Sequence, residues 1–141
     1  MKISTKGRYA LRLMIDLAQN RGNGFIALKD ISTRQEISKK YLEQIIPLLN
    51  RSNLLTANKG HMGGYQLAKD PDMITVKDII LSTEGSLSTV SCMQDDPNRC
   101  KKCDTCLTLP IYEGLSKVLS DYLESITLAD IIRPKDKQTD N

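Results

Sequence analysis

The sequence is poor in the residues that build aromatic cores and histidine-based sites. Tryptophan is absent, phenylalanine occurs once, and aromatic residues make up only 4% of the 141 residues. A buried core must therefore be formed by aliphatic side chains. His61 is the single histidine, so a site built from several histidines is excluded within this sequence. The sequence contains no recognisable pair of a catalytic nucleophile and its base, and no cofactor motif apart from a cysteine cluster, so it does not predict an enzyme.

Long apolar runs are also missing. The most apolar stretch near the start, residues 10–18, is short and is interrupted by Arg12 and Asp16. A bilayer-spanning helix needs about 20 apolar residues, so no membrane segment is expected and a cytoplasmic location is predicted. In a reducing compartment, clustered cysteines are more often metal ligands or redox sensors than structural disulfides.

The charge is unevenly divided along the chain. Residues 1–70 hold 12 Lys and Arg against 5 Asp and Glu, whereas residues 71–141 hold 8 against 12. The first half therefore carries +7 and the second half −4. Since Lys and Arg neutralise phosphates, a basic half indicates a polyanionic partner such as nucleic acid, although a solvated surface would have the same composition.

Hydrophobic periodicity predicts a mostly α fold, in which a winged helix-turn-helix is followed by a cysteine loop and a long C-terminal helix. Helices are expected over residues 5–20, 28–35, 38–50, 75–82 and 108–125, a final turn over 130–132, and short strands over 25–27, 54–57 and 64–68. The corresponding units are a winged domain over 1–72, a connecting helix over 73–83, a cysteine-rich loop over 84–107, a long C-terminal helix and final turn over 108–132, and a disordered tail over 133–141. Pro47 lies inside one predicted helix and is expected to kink it or end it early.

The second helix of a helix-turn-helix enters the major groove, where its amino end contacts bases and phosphates. Lys39 and Lys40 suit phosphates, Gln44 can pair with adenine, and Glu43 can accept from cytosine. Phosphate contacts are also expected from the first helix, and the hairpin tip at residues 59–61 fits an adjacent minor groove. The predicted DNA-binding residues are Lys2, Lys6, Arg8, Ser38, Lys39, Lys40, Tyr41, Glu43, Gln44, Lys59 and His61.

All four cysteines fall within 15 residues, with the spacing C-x7-C-x2-C-x2-C at Cys92, Cys100, Cys103 and Cys106. Two-residue gaps let neighbouring thiolates converge on one centre, as in iron–sulfur and zinc sites. The adjacent Lys101–Lys102 pair favours the thiolate forms. From the residues alone, an iron–sulfur cluster, a zinc brace and a metal-free thiol switch all stay open.

Three segments resemble the family of bacterial iron–sulfur and redox-responsive winged-helix regulators that includes IscR, NsrR and CymR. They are the opening decapeptide MKISTKGRYA, residues 38–44 with Tyr-Leu-Glu-Gln, and the wing sequence GGYQLA at residues 63–68. The late ITLAD at residues 126–130 is also similar. The resemblance covers roughly residues 1–132.

This resemblance implies a homodimer whose C-terminal helices pair and whose two winged domains bind a palindromic operator. It also implies a transcription regulator, a repressor or an activator, whose cluster occupancy alters DNA affinity or operator choice. The cluster is expected to sense redox state, iron–sulfur supply or nitric oxide. Lys59 matches the basic wing residue of the family, where arginine is common. Glu43 matches the carboxylate that discriminates operators in IscR-like members.

Two departures concern the cluster ligands. IscR-like members have a histidine three residues after the last cysteine, and this chain has Leu109 there. NsrR-like members use an aspartate near the partner's N-terminus, and the matching position is Arg8. Cys103 is an extra thiol and is the predicted fourth ligand. A 2Fe–2S cluster is preferred, with 4Fe–4S as the alternative.

Overall fold

The computed structural model describes residues 2–90 and 105–134. It confirms the mostly helical winged-helix architecture, with one two-stranded sheet among the described residues. In chain order the elements are α1 (Thr5–Gln19), α2 (Leu28–Gln35), α3 (Lys39–Arg51), β1 (Leu55–Asn58), β2 (Gly64–Leu67), a 3₁₀ turn (Pro71–Met73), α4 (Val76–Glu84), α5 (Leu109–Glu124) and α6 (Leu128–Ile132).

The core is aliphatic and is organised around α1. Ser4 caps this helix by accepting a hydrogen bond from the Gly7 N–H at 3.1 Å. The apolar residues that follow at helical spacing are almost completely buried. They pack with buried side chains of α3, of α4 and of Leu128 in α6. A single hydrophobic core therefore joins the start of the chain to its last described helix.

Helices α2 and α3 form the helix-turn-helix at the predicted positions. Glu36 ends α2 in the left-handed region, with φ of 54°, which turns the chain sharply. The Ser32 hydroxyl donates to the Ile37 carbonyl at 2.6 Å, and the Ile37 N–H donates to the Ser32 carbonyl at 3.2 Å. Ser38 then caps α3 through its side chain. This local bonding fixes the direction of α3 relative to α2.

Pro47 does not end its helix early, although an early end is one of the two outcomes expected from the sequence. Helix α3 continues past this proline to Arg51. Proline removes one backbone hydrogen bond, but the ring of Pro47 is exposed, while Ile45, Ile46 and Leu49 beside it are buried. Burial of these side chains offsets the loss of one hydrogen bond at the solvent-facing side.

The wing is an antiparallel hairpin in which Leu55 pairs with Leu67 and Asn58 with Gly64. The strand expected over residues 25–27 is reduced to one bridge, in which Ile26 and Tyr65 exchange two backbone hydrogen bonds of 2.8 Å. Gly64 passes so close to Ile26 that a Cβ would collide with the Ile26 carbonyl. This crowding requires glycine and ties the wing to the start of α2.

Two capping boxes lie side by side at the carboxyl-terminal part of the fold. In each, a threonine caps a helix and an aspartate three residues later returns the bond, as in Thr75–Asp78 and Thr127–Asp130. The two threonines form an antiparallel bridge, supported by the bond from the Val76 N–H to the Ile126 carbonyl at 2.9 Å. The chain after α5 is thereby returned to the core.

Helix α5 differs from the other helices because none of its residues is buried. Its apolar stripe is open to solvent, and Ile111, Val118 and Tyr122 are each more than 60% exposed. Within residues 2–90 and 105–134, no helix has the length and apolarity needed to cross a membrane. Most of the predicted tail, residues 135–141, lies outside the described residues. Residues 91–104 of the predicted cysteine loop lie outside them as well.

Candidate DNA-binding surface and cysteine segment

The amino end of α3 presents most of its predicted DNA-binding residues to solvent. Ser38, Lys39, Lys40, Glu43 and Gln44 are all exposed. The Ser38 hydroxyl accepts the Tyr41 N–H at 3.1 Å, and the first turn contains no acidic residue. The positive end of the helix dipole and two lysines therefore share one surface, which suits a phosphate group.

Tyr41 belongs to the packing of α3 as well as to its amino end. Its half-buried ring meets the ring of Tyr9 edge to face, with 5.2 Å between centroids. The Arg12 guanidinium lies 5.6 Å from the centroid of the Tyr9 ring, and Arg12 also donates to the side-chain and backbone oxygens of Gln35. These contacts hold the amino end of α3 against α1.

A buried ionic network at the helix-turn-helix was missed by the sequence analysis. Asp16 of α1 is 1% exposed and accepts two hydrogen bonds from the Arg34 guanidinium, at 2.9 and 2.8 Å. It also accepts the Gln35 amide at 3.0 Å. Burial by itself raises the pKa of Asp16, but these hydrogen bonds and the Arg34 charge outweigh it and hold the pKa below its usual value.

Two of the three predicted basic residues near the start of the chain lie beside the end of α4. Lys2 and Arg8 are exposed and line an open groove with Glu84, whereas Lys6 is half-buried. Ser4, between them, donates its N–H to the Glu84 carboxylate at 2.9 Å and its hydroxyl to the same oxygen at 2.5 Å. Helix α4 therefore holds the amino end of α1.

The wing-tip residues Lys59 and His61 are exposed. The turn between the strands uses Gly60 at φ of 128°, a conformation that glycine adopts without strain. His61 lines an open pocket with Asp30 and Arg34 of α2. The structure thus brings the wing tip near α2, while Tyr41 brings the amino end of α3 near α1.

The cysteine segment, defined here as residues 89–106, begins and ends beside α5. Thr89 contacts the middle of this helix: its N–H donates to the Ser116 hydroxyl at 3.3 Å, and its hydroxyl donates to the Tyr112 carbonyl at 3.3 Å. At the other end, Cys106 precedes α5, with its sulfur 3.2 Å from the Thr108 hydroxyl oxygen. Leu109 and Ser116 are about 10 Å apart along the helix axis. Thr89 and Cys106, the two ends of the cysteine segment, therefore both lie along the first half of α5.

Cys92, Cys100 and Cys103 lie outside the described residues, so the fit of a metal group is judged from the donor set. Four thiols separated by seven, two and two residues suit an iron–sulfur cluster or tetrahedral zinc. Cys106, the described member, is half-buried just before the amino end of α5. Leu109, the first residue of α5, lies three residues after Cys106 and has no side-chain atom that can bind a metal.

A family profile described as "Rrf2: Iron-dependent Transcriptional regulator" matches residues 3–134 of the chain. Two full-length relatives are similar over nearly the whole sequence. IscR of Yersinia enterocolitica, an HTH-type transcriptional regulator, is 37% identical over 136 residues, which span 96% of this chain and 82% of that protein. The protein rrf2 of Nitratidesulfovibrio vulgaris is 36% identical, spanning 94% of this chain and 88% of its own.

Solved structures give the same result. CymR, described as the global cysteine regulator of B. subtilis, superimposes with a TM-score of 0.76 at 36% identity, covering 96% of this chain and 99% of CymR. IscR of T. potens also has a TM-score of 0.76, at 35% identity, covering 99% of this chain and 91% of that protein. Both fold and sequence therefore match transcription regulators rather than enzymes.

Proposed function

The chain belongs to the Rrf2 family of transcriptional regulators, and from this premise we propose that a metal group on its cysteines controls its DNA binding. In full, it is a homodimer that binds a palindromic operator with an affinity set by an iron–sulfur cluster on Cys92, Cys100, Cys103 and Cys106. The family supplies the general activity of a DNA-binding regulator. The dimer, the operator symmetry and the cluster are the specific content of the proposal.

The observation that carries the proposal is the amino end of α3. It exposes Lys39 and Lys40 beside a capped helix terminus without acidic residues, and Tyr41 anchors it on α1. Phosphate contacts from this end position the helix, and Glu43 and Gln44, one turn further on, are exposed to contact bases. In this proposal Lys2, Lys6, Arg8, Lys59 and His61 add contacts from the first helix and the wing.

The open stripe of α5 supports the dimer. Ile111, Leu115, Val118 and Tyr122 recur at spacings of three and four residues and are all exposed. An apolar stripe of this kind is normally covered by another helix. A second copy of α5 offers the same stripe, so a twofold pair buries both. Two winged domains related by such an axis match a palindromic operator.

The cysteines supply the sensing part of the proposal. A bound cluster provides a redox-active centre whose oxidation state or loss is a signal. The chain's own contribution is the set of four thiolates, the nearby Lys101 and Lys102, and the clasp between Thr89 and α5. Four cysteine ligands can hold either cluster type; a 2Fe–2S cluster is the preferred form in this proposal and 4Fe–4S is the alternative.

The DNA-binding part is tested by a salt titration on a duplex selected by the wild-type protein from a random-sequence pool. Each phosphate contact contributes about −0.9 to the slope of log affinity against log salt. Lys39→Ala is expected to reduce the slope by about one unit, as is Lys59→Ala. Lys69→Ala is the matched control, because Lys69 is exposed but lines a pocket with Asp78 of α4. Equal affinity for selected and random duplexes would refute specific regulation.

The metal part is tested on protein purified under anaerobic conditions, by visible absorption together with iron, sulfide and zinc analysis. The proposal predicts a coloured protein with iron and inorganic sulfide in equal amounts. A colourless protein with stoichiometric zinc would support the zinc brace. A metal-free protein whose DNA affinity follows reversible disulfide formation would support the thiol switch. Either of these two results overturns cluster control.

A further inference from the structure

Glu84 lies where two parts of the molecule meet. It is the last residue of α4, it is half-buried, and one carboxylate oxygen accepts both the backbone N–H and the hydroxyl of Ser4. The Ser4 hydroxyl in turn accepts the Gly7 N–H and caps α1. The cap of α1 is therefore itself held by a charged group of another helix.

The close packing at Gly7 shows how tightly this contact is built. Gly7 is buried on α1, and a Cβ at this position would stand 2.6 Å from the same Glu84 oxygen. Real Cβ atoms do not approach an oxygen so closely, so glycine is required while the carboxylate stays in place. A methyl group at position 7 would therefore require the Glu84 side chain to move away from the first turn of α1.

From this first turn, a second contact leads to α3, called the recognition helix because it is proposed to enter the major groove. Tyr9 follows Gly7 by two residues and packs edge to face on Tyr41 in the first turn of α3. Ser4 and Tyr9 are only about 7.5 Å apart along the helix axis. A displacement of the amino end of α1 would therefore shift Tyr41 and the end of α3 that carries Lys39 and Lys40.

On its other side, Glu84 is joined to the cysteine segment. Gly85 ends α4 in the left-handed region, with φ of 76°, and the chain then reaches Thr89, which is bonded to α5. Cys92 follows Thr89 by three residues. A change in the position of this end of the cysteine segment acts on the end of α4, since Glu84 and Thr89 are separated by only five residues.

We infer that Glu84 is a positioning residue that couples the cysteine segment to the recognition helix, through Ser4 and Gly7 and then through the Tyr9–Tyr41 contact. This inference rests on the proposed function, because it requires DNA affinity to depend on metal bound by the cysteines. A series of contacts becomes a coupling route only when both ends respond to the same element. The test therefore measures the coupling and not the affinity alone.

The experiment uses the full-length protein and the duplex selected by the wild-type chain. DNA affinity is measured for metal-free protein and again after anaerobic reconstitution with ferrous iron and sulfide. The two affinities of the wild type are expected to differ by about tenfold, a common size for coupling between sites. In Glu84→Ala the ratio falls to near one, while iron and sulfide content stay at the wild-type value.

Glu124→Ala is the matched control. Glu124 is also a carboxylate that contacts α4, through Lys77 at 3.6 Å, but it belongs to α5 and lies 40 residues along the chain from Glu84. Its ratio is expected to equal that of the wild type. A Glu84→Ala protein that keeps the wild-type ratio would overturn the inference and leave the proposed function intact. A wild-type ratio of one would instead overturn the proposed function itself.

Gly7→Ala provides a second test that keeps every atom of Glu84. The added methyl must displace the carboxylate, so the ratio is expected to fall as in Glu84→Ala. The double variant removes the collision and is expected to show the same ratio as either single variant, because both changes break one contact. If Gly7→Ala keeps the wild-type ratio, or if the two effects multiply, Glu84 and Gly7 do not act through one contact and the inference is wrong.

Discussion

Helices α1 and α5 have nearly the same length and each carries an apolar stripe, yet they have opposite surroundings. The stripe of α1 is buried in the core of its own chain, whereas α5 has no buried residue and leaves Ile111, Val118 and Tyr122 open to solvent. Amphipathic periodicity shows that a helix has an apolar face, but not which molecule covers it. For α1 the cover is intramolecular, and for α5 we propose a second copy.

The two helices also differ in their charged contacts. Helix α1 holds the buried Asp16, whose carboxylate is bonded to Arg34 and Gln35, while the ion pair of Lys117 and Asp121 on α5 is exposed. A buried ion pair fixes an arrangement because either partner alone is costly. An exposed pair contributes little. The winged domain is thus specified within one chain, whereas the apolar stripe of α5 is left uncovered by the described part of its own chain.

The largest effect is expected from removing the partner of the buried carboxylate. Arg34→Ala leaves Asp16 charged and buried, and we expect it to lower the free energy of unfolding by about 3–5 kcal/mol. Asp16→Ala should cost less, about 2 kcal/mol, because Arg34 is 41% exposed and can be hydrated. Urea unfolding at pH 7 measures both values. A smaller loss in Arg34→Ala than in Asp16→Ala would contradict this account.

The acid dependence of stability gives a check on the same pair. The folded-state pKa of Asp16 lies below its usual value, so its stabilisation is complete above that value and is lost as the pH falls through the folded pKa. In wild-type protein this contribution is lost only below about pH 4. In Arg34→Ala only the Gln35 and Asn20 hydrogen bonds still lower the pKa of Asp16, so less stability is lost on acidification than in the wild type. Unfolding curves between pH 3 and 7 distinguish the two cases.

The next effect concerns the open stripe of α5. Val118→Asp places a charge in the proposed dimer interface, and we expect the dimer dissociation constant to rise about 100-fold, or about 3 kcal/mol. The thermal unfolding of the winged domain should change little. Glu113→Ala, two residues from Ile111 and so away from the stripe, is the control. Sedimentation that shows the same dimer for all variants would place the interface elsewhere.

A smaller effect on the fold is expected at the cysteines. Cys103→Ala removes the proposed fourth ligand, so a chelator should remove iron at least tenfold faster than from the wild type, by analogy with the loss seen when supporting groups of metal sites are changed. Metal-free variant and wild type should unfold at the same temperature, because the core lies elsewhere. Wild-type iron retention in Cys103→Ala would show that another residue is the fourth ligand.

The smallest effect is expected at a single base contact. Gln44→Ala should leave dimerisation, iron content and unfolding unchanged while reducing discrimination at one operator position by about 1 kcal/mol. Competition between the selected duplex and single-base variants measures this loss. An equal loss of affinity for every duplex would show that Gln44 contacts the DNA backbone and not a base.

Local signals made much of the fold predictable from the sequence. Ser38 caps α3, Thr75 and Thr127 open capping boxes, and Gly60 forms the turn of the wing. Each of these features depends only on residues a few positions apart in the sequence. Long-range contacts could not be predicted. Asp16 was noted only as an interruption of an apolar stretch, because its partners follow 18 and 19 residues later.

The candidate site divides in the same way. The exposed amino end of α3 was predictable, since cap, charge and helix order are visible in sequence. The role of Glu84 was not, because it depends on an approach between residues 80 positions apart and on the missing side chain of Gly7. At Pro47 the helix does not end early, because burial of neighbouring side chains outweighs one lost hydrogen bond.

The most direct test of the account is the DNA affinity of one wild-type preparation measured twice at the same salt concentration. Fluorescence anisotropy with the selected duplex is recorded on metal-free protein and then after anaerobic reconstitution with ferrous iron and sulfide. The account predicts a change in affinity of about tenfold or more. Identical affinities, with iron and sulfide shown to be bound, would contradict it.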